Sequence, residues 1–366
     1  MKLLALSTFF VLLLSSASRA QQGLQPGFLV QEYLDLLGVA AQQYDSLAPK
    51  DKVPLSPRYK FLYRSPEVGL MNRWALWLRD DQVAVIDIRG TTKDTPSWLE
   101  NFYAAMVPAT GSLTLNDSTT FTYQLAADPK AMVHIGWLLG LGHLSPTILT
   151  QIRAQHAKGI RNFILMGHSQ GAALTLLLRS YLHYLVQKGD LPKDLNFKTY
   201  CSACPKPGNL FFAYDYEYIT RNGTAFTILN AADWVPETPF SLQTLKDFNA
   251  VNPFQDIKPK LRKQSFLVRV YAGTIFRKLD GRTRRSQRTF EKYLGRQVSK
   301  LVKKSLPQFQ TPDYAPSNNY MRAGVPIVLQ PDEAYRREFP DNPEKVFMHH
   351  GFVQYASLAK RIYQSN

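Results

Sequence analysis

Apolar residues along this chain recur with two periods. Trp74 to Leu78 and Gln82 to Ile88 alternate or run apolar on either side of the turn residues Asp80 and Asp81, which predicts a β-hairpin. Phe163 to Met166, Asn196 to Ala203, Ala225 to Asn230 and Val325 to Leu329 read as further strands. Elsewhere the period lengthens. Phe28, Tyr33, Leu36, Leu37, Ala40 and Tyr44 fall near helical spacing and predict an opening helix over Phe28 to Tyr44. Ser145 to Ala157 reads as a helix before the Phe163 strand, Ala172 to Val186 as one after it, and a closing helix starts around Phe352.

Between the Phe163 strand and the Ala172 helix stands Gly167-His168-Ser169-Gln170-Gly171. The pentapeptide alone is a common turn, but a strand before it and a helix after it form the setting of a nucleophile elbow. So sharp a turn leaves no room for side chains beside it, hence glycine on both flanks of the serine. Ser169 is the candidate nucleophile. A hydroxyl is a weak nucleophile at neutral pH, so the reading demands a carboxylate and a histidine later in the chain. Asp233 follows the strand Ala225 to Asn230, at the C-terminal edge where a parallel sheet also presents its elbow. Met348-His349-His350-Gly351 supplies two adjacent candidates for the base. Arg89-Gly90-Thr91 ends the hairpin and delivers Thr91 to the same edge. Thr91 and Gln170 are therefore the expected oxyanion-hole residues.

These motifs occur in the order of the class 3 lipases. The chain resembles that family in I-R-G-T at Ile88 to Thr91 with Trp98 and Asn101 beyond it, and in V-H-x-G-W at Val133 to Trp137. It does so again in G-H-S-Q-G at the elbow, P-K-P-G-N at Pro205 to Asn209 and N-A-A-D-W-V-P at Asn230 to Pro236. The likeness covers roughly Phe28 to Phe240 and Tyr320 to Tyr363 and fails between about Leu245 and Asn319. It implies an α/β-hydrolase fold, a mostly parallel central sheet flanked by helices, with a helical insertion before the last strand. It also implies a triad of Ser169, Asp233 and a terminal histidine. In the family pattern that histidine stands five residues before a tyrosine, and Tyr355 points to His350 rather than His349. Ala172 replaces the second glycine that usually follows the elbow. A lid is expected over Thr92 to Ala105, where family lipases carry one; Thr95-Pro96 offers a helix start, and Trp98, Leu99, Phe102 and Tyr103 an apolar face.

Composition and charge extend this picture. Lys2, an apolar run from Leu3 to Leu14 and small residues up to Ala20 read as a cleaved signal peptide over residues 1–20, so a secreted or periplasmic location is expected. Residues 21–366 then form one hydrolase domain. The only cysteines, Cys201 and Cys204, sit on or beside one strand, where residues three apart are about 10 Å from one another, and are expected as buried free thiols. No histidine or cysteine grouping has metal-ligand spacing, and ester hydrolysis by a triad needs no cofactor. The formal charge is +16, and between Asp256 and Ser305 sixteen Lys and Arg face three acids. Phe290, Leu294, Val298 and Leu301 form an apolar stripe in that block, opposed by Arg288, Lys292, Arg296, Lys300, Lys303 and Lys304: a basic amphipathic helix. It either packs on the core with its charges solvated or meets an anionic lipid surface. Nucleic acid is not an expected partner, because no recognition motif accompanies the charge.

The sequence thus predicts an exported serine lipase or carboxylesterase acting on acylglycerols or related fatty-acyl esters. Phospholipase A1 activity and an inactive surface-binding protein on a hydrolase scaffold are the alternatives.

Overall fold

The computed structural model describes residues 24–45, 47–252 and 257–364; the signal segment read at residues 1–20 lies outside them. Seven strands form the central sheet in chain order: β1 (Tyr59–Arg64), β2 (Trp74–Arg79), β3 (Ala84–Ile88), β4 (Asn162–His168), β5 (Asn196–Ser202), β6 (Ala225–Asn230) and β7 (Val325–Leu329). The first three pair antiparallel, with Trp74 opposite Ile88 in the expected hairpin. From β3 onward every pairing is parallel.

Helices cover both faces. α1 (Val30–Ala41) and, at the end of the chain, α10 (Phe352–Gln364) lie on one face; α2 (Thr95–Phe102) follows β3, and α3 (Ile135–Ala157) and α4 (Gln170–Lys188) flank β4 on the other side, while α5 (Leu210–Ile219) follows β5 and the short α9 (Glu333–Glu338) follows β7. Strand β4 shows why its sequence is a continuous apolar run. Phe163 and Leu165 enter the core beneath α3 and α4, whereas Ile164 and Met166 enter the core beneath α1 and α10. Successive side chains point to opposite faces, and both faces are buried.

Helix α3 begins ten residues earlier than its expected start at Ser145. Ile135 to Leu144 is buried on nearly every side, so it shows no amphipathic period, and Pro146 lies inside the helix. Proline cannot donate to the carbonyl of Gly142, but the Ser145 hydroxyl does so instead at 3.2 Å.

The insertion between β6 and β7 is also built differently from the expected single helix. It holds α6 (Ile257–Arg262), the long α7 (Phe266–Phe290), a π-helical turn over Glu291–Gln297 and α8 (Val298–Ser305). The wide turn stretches the apolar spacing to four residues, so Val298 and Val302 enter the core while Leu301 is left exposed. Ala105 N–H donates to the carbonyl of Leu294 at 3.2 Å, which joins the insertion to the segment after α2. The stripe from Leu294 onward thus packs on the body of the fold. Cys201 and Cys204 are buried and unpaired by disulfide, with β5 ending at Ser202 and the chain turning at Ala203, where φ is +51°.

Candidate active site

Strand β4 turns into α4 at Ser169, whose φ of 61° and ψ of −131° lie outside the regions that side-chain-bearing residues ordinarily adopt. The turn is held by Ser169 N–H donating to the carbonyl of Ser202 at 2.9 Å. A Cβ at Gly167 would run into the carbonyl of Gly171, and one at Gly171 into the carbonyl of Ile88. Both glycines are therefore required by close backbone approach. A Cβ at Gly90 would meet the His168 carbonyl and the Tyr44 hydroxyl and come within 3.4 Å of Ser169 Cβ, so the end of the β3 loop lies directly beside the serine.

His350, in the turn before α10, donates from Nδ1 to Asp233 Oδ2 at 2.7 Å. Asp233 stands at the end of β6, its side chain fully buried. Burial works against its charge, but hydrogen bonds from His350, Val235 N–H and Tyr355 outweigh it and hold the carboxyl below the ordinary range. Donating through Nδ1 leaves His350 Nε2 available to a substrate or a nucleophile. His349 faces elsewhere: its Nε2 meets Asp341 Oδ1 at 2.8 Å and its Nδ1 the Tyr335 hydroxyl at 3.0 Å.

His168 has a role that the sequence did not reveal. Its Nε2 meets the carbonyl of His350 at 2.8 Å, and since a carbonyl only accepts, that nitrogen carries the proton. Burial, reinforced by nearby His350, drives its pKa down to about 3, so the ring is neutral and Nδ1 accepts from the Ser202 hydroxyl at 3.1 Å. The Tyr33 hydroxyl must then donate to Ser202 Oγ, 2.7 Å away. This chain fastens the His350 backbone to the elbow.

Helix α2 presents an unexpected face. Its fully buried side chains are Ser97 and Glu100, while Phe102 is exposed. Glu100 accepts from Asn72 Nδ2 at 2.5 Å and neighbours Gln170; Ser97 Oγ donates to Gln170 Oε1 at 3.3 Å. Burial pushes Glu100 up to about 8 against the help of Asn72 and Gln170. Asn101 donates to Thr91 Oγ1 at 2.9 Å and accepts from Trp137 Nε1 at 3.0 Å. Thr91 and Gln170 are thus gripped from behind by α2. Periodicity showed only the apolar face of Trp98, Leu99, Phe102 and Tyr103; a buried acid on this helix carried no sequence signal.

Ser169, Thr91, Gln170 and His350 line one cleft of about 1790 Å³. Its wall has an apolar group, including Trp98, Trp234, Phe240, Leu294 and Phe347, and a charged group around Arg73, Arg89 and Glu67. Trp98 and Trp234 both rest on Phe347, with ring centroids 6.0 and 5.3 Å apart, and Phe347 reaches His350 at 5.8 Å.

The family model described as Lipase (class 3) matches residues 85–243 of this chain, a span that includes the β3 loop, the elbow and Asp233. Among solved structures, a triacylglycerol lipase from Penicillium expansum is similar over 57% of this chain and 70% of its own, at 16% identity and a TM-score of 0.39. Rhizomucor miehei triacylglyceride lipase is similar over 57% and 73%, at 18% identity and a TM-score of 0.41. Lipase II from Rhizopus niveus is similar over 57% and 74%, at 24% identity and a TM-score of 0.39. No curated protein matches. The elbow, the sheet order and the family match agree: residues 85–243 are similar to the class 3 lipases, and the chain is a serine ester hydrolase of the α/β-hydrolase fold.

Proposed function

We propose that this protein hydrolyses fatty-acyl esters of the acylglycerol type with Ser169 as nucleophile, His350 as general base and acid, and Asp233 as the acid that orients the imidazole. Ser169 Oγ bonds to the acyl carbon while His350 Nε2 takes its proton; the carbonyl electrons move onto oxygen, where the backbone N–H groups of Thr91 and Gln170 receive the charge. The tetrahedral intermediate expels the alcohol, which takes the proton from His350. Water, activated by the same imidazole, then releases the fatty acid from Ser169. The observation that carries this reading is the Asp233–His350 bond of 2.7 Å beside a strained Ser169 in a single cleft. The aromatic and aliphatic wall of that cleft suits an acyl chain.

Phospholipase A1 activity is the second reading, favoured by Arg73, Arg89 and Lys93 in the cleft wall, groups that suit a phosphate. We read residues 21–366 as one hydrolase domain with 245–319 inserted, and residues 1–20 as a removed signal that sends the protein out of the cytoplasm. Among the described residues no helix is long and apolar enough to cross a membrane. A lipid surface is the partner proposed for the basic insertion. The deciding experiment compares triacylglycerol, soluble esters of graded acyl length and anionic phospholipid, with Ser169→Ala as control. Turnover of none of them by the purified chain, or equal turnover by the alanine variant, rejects the proposal.

A further inference from the structure

Among the described residues, a run of strongly exposed apolar side chains lies outside the cleft, on the first half of α7. Leu267 is 79% exposed, Tyr271 73% and Leu279 62%, and Phe266, Val270 and Ile275 are exposed beside them. Leu267, Tyr271, Ile275 and Leu279 recur every four residues, which advances only about 40° around the helix at each step, so they form one broad face. From Arg277 onward the same surface turns basic: Lys278, Arg282 and Arg285 continue the strip, and Arg277, Arg284 and Arg288 continue the flank begun by Phe266 and Val270. The one acid of α7, Asp280, is paired with Arg284. The apolar part spans about 20 Å at 1.5 Å per residue. A sequence reading centred on Phe290 to Leu301 overlooks it, because that later stripe is the one that packs inward.

Helix α7 is also tied to the catalytic cleft. Phe290 at its end meets Phe240, with ring centroids 6.3 Å apart, and Leu294 in the π-helical turn that follows lines the cleft together with Phe240. Whatever holds α7 therefore sets the orientation of the cleft wall.

Resting on the lipase reading, we propose that α7 anchors the protein on an anionic phospholipid surface. The apolar side chains Phe266, Leu267, Val270, Tyr271, Ile275 and Leu279 enter the acyl boundary, and the arginines and lysine from Arg277 onward pair with the headgroups. An apolar tip alone would suit any interface, but the basic collar requires negative charge around the point of entry, which a phospholipid surface rich in acidic headgroups supplies. A helix so poor in packing partners has little other way to bury that surface.

The test uses the full chain carrying Ser169→Ala, so that lipid is not consumed, with vesicles of phosphatidylcholine alone or mixed with phosphatidylglycerol. Binding to the mixed vesicles should exceed binding to phosphatidylcholine and weaken as salt rises. An environment-sensitive dye on Leu267→Cys should shift to the blue on binding. Replacing Leu267, Tyr271, Ile275 and Leu279 by serine should weaken partitioning by at least about tenfold. In the chain with Ser169 intact, the same four changes should leave hydrolysis of a short soluble ester unchanged. Equal binding to both vesicle types, a dye that stays in water on vesicles that bind the protein, or undiminished binding of the serine variant overturns the proposal. So does a lipid-free dimer that the four serines dissociate, which would assign the face to a second copy. Vesicle binding without ester hydrolysis would reject the lipase reading and leave the anchor standing.

Discussion

The Tyr355 hydroxyl donates to Asp233 Oδ2 at 2.8 Å, the same oxygen that receives His350 Nδ1 at 2.7 Å. One carboxylate oxygen thus joins the imidazole in the turn to the first part of α10, which is the physical content of the five-residue spacing between His350 and Tyr355. The phenol favours the charged carboxylate and limits its rotation. Tyr355→Phe should raise the Asp233 pKa, move the acid limb of kcat/KM to higher pH and lower kcat modestly. Asp233→Asn should cost on the order of 10⁴ in kcat, by analogy with other triads. A pH profile of Tyr355→Phe on a soluble ester that superimposes on the parent would refute the coupling.

The adjacent histidines should separate cleanly by mutation. His350→Ala removes the imidazole that meets Asp233 and should abolish turnover. His349→Ala should keep most activity yet melt at lower temperature, because it removes one hydrogen-bond partner each from Tyr335 and Asp341 and leaves a cavity beside Tyr335. The reverse pattern of activity would assign the base to His349.

Two buried acids make stability depend on pH. Burial raises Asp87 from 3.8 to about 7 and Glu100 from 4.5 to about 8. Across that window the folded chain holds protons that the unfolded chain has released, so the stabilisation is complete below about 4 and is lost as pH rises towards about 8. Glu100→Gln keeps the shape and removes the titration. The melting temperature of Glu100→Gln relative to the parent should therefore climb between pH 4 and pH 8, measured by thermal scans at fixed ionic strength. A constant difference across that range would mean that Glu100 does not titrate there.

Helix α2 is fastened rather than free to swing. Glu100 is bonded to Asn72, and Asn101 is bonded to both Thr91 and Trp137. Displacing the helix would leave a buried acid and two amides unpaired, which is costly. Activity on a partly soluble ester should accordingly rise smoothly through its solubility limit. A sharp jump at droplet formation would show that α2 opens as a lid. Asn72→Ala should introduce such a jump or lower activity by loosening the support of Gln170.

The layout of the candidate site was legible in the sequence because it depends on local constraints. Glycine at 167 and 171, a strand before and a helix after are what the tight turn at Ser169 demands, and an acid or an oxyanion loop must stand where a strand ends. Strands buried on both faces wrote their positions as apolar runs. What depends on neighbours distant in the chain was not written there. The neutrality of His168 depends on its burial beside His350, and the position of its proton on the His350 carbonyl and the Ser202 hydroxyl. The buried polar face of α2 was not foreseen because its residues are Ser97 and Glu100, whose partners Asn72 and Gln170 lie far away in sequence. Helix α3 lost its start signal because a helix packed on all sides shows no period. The basic insertion was legible as charge. Which of its apolar stripes packs inward and which stays exposed was decided by the π-helical turn and the surface that receives it, because a single chain's periodicity records that a face is apolar and not what covers it.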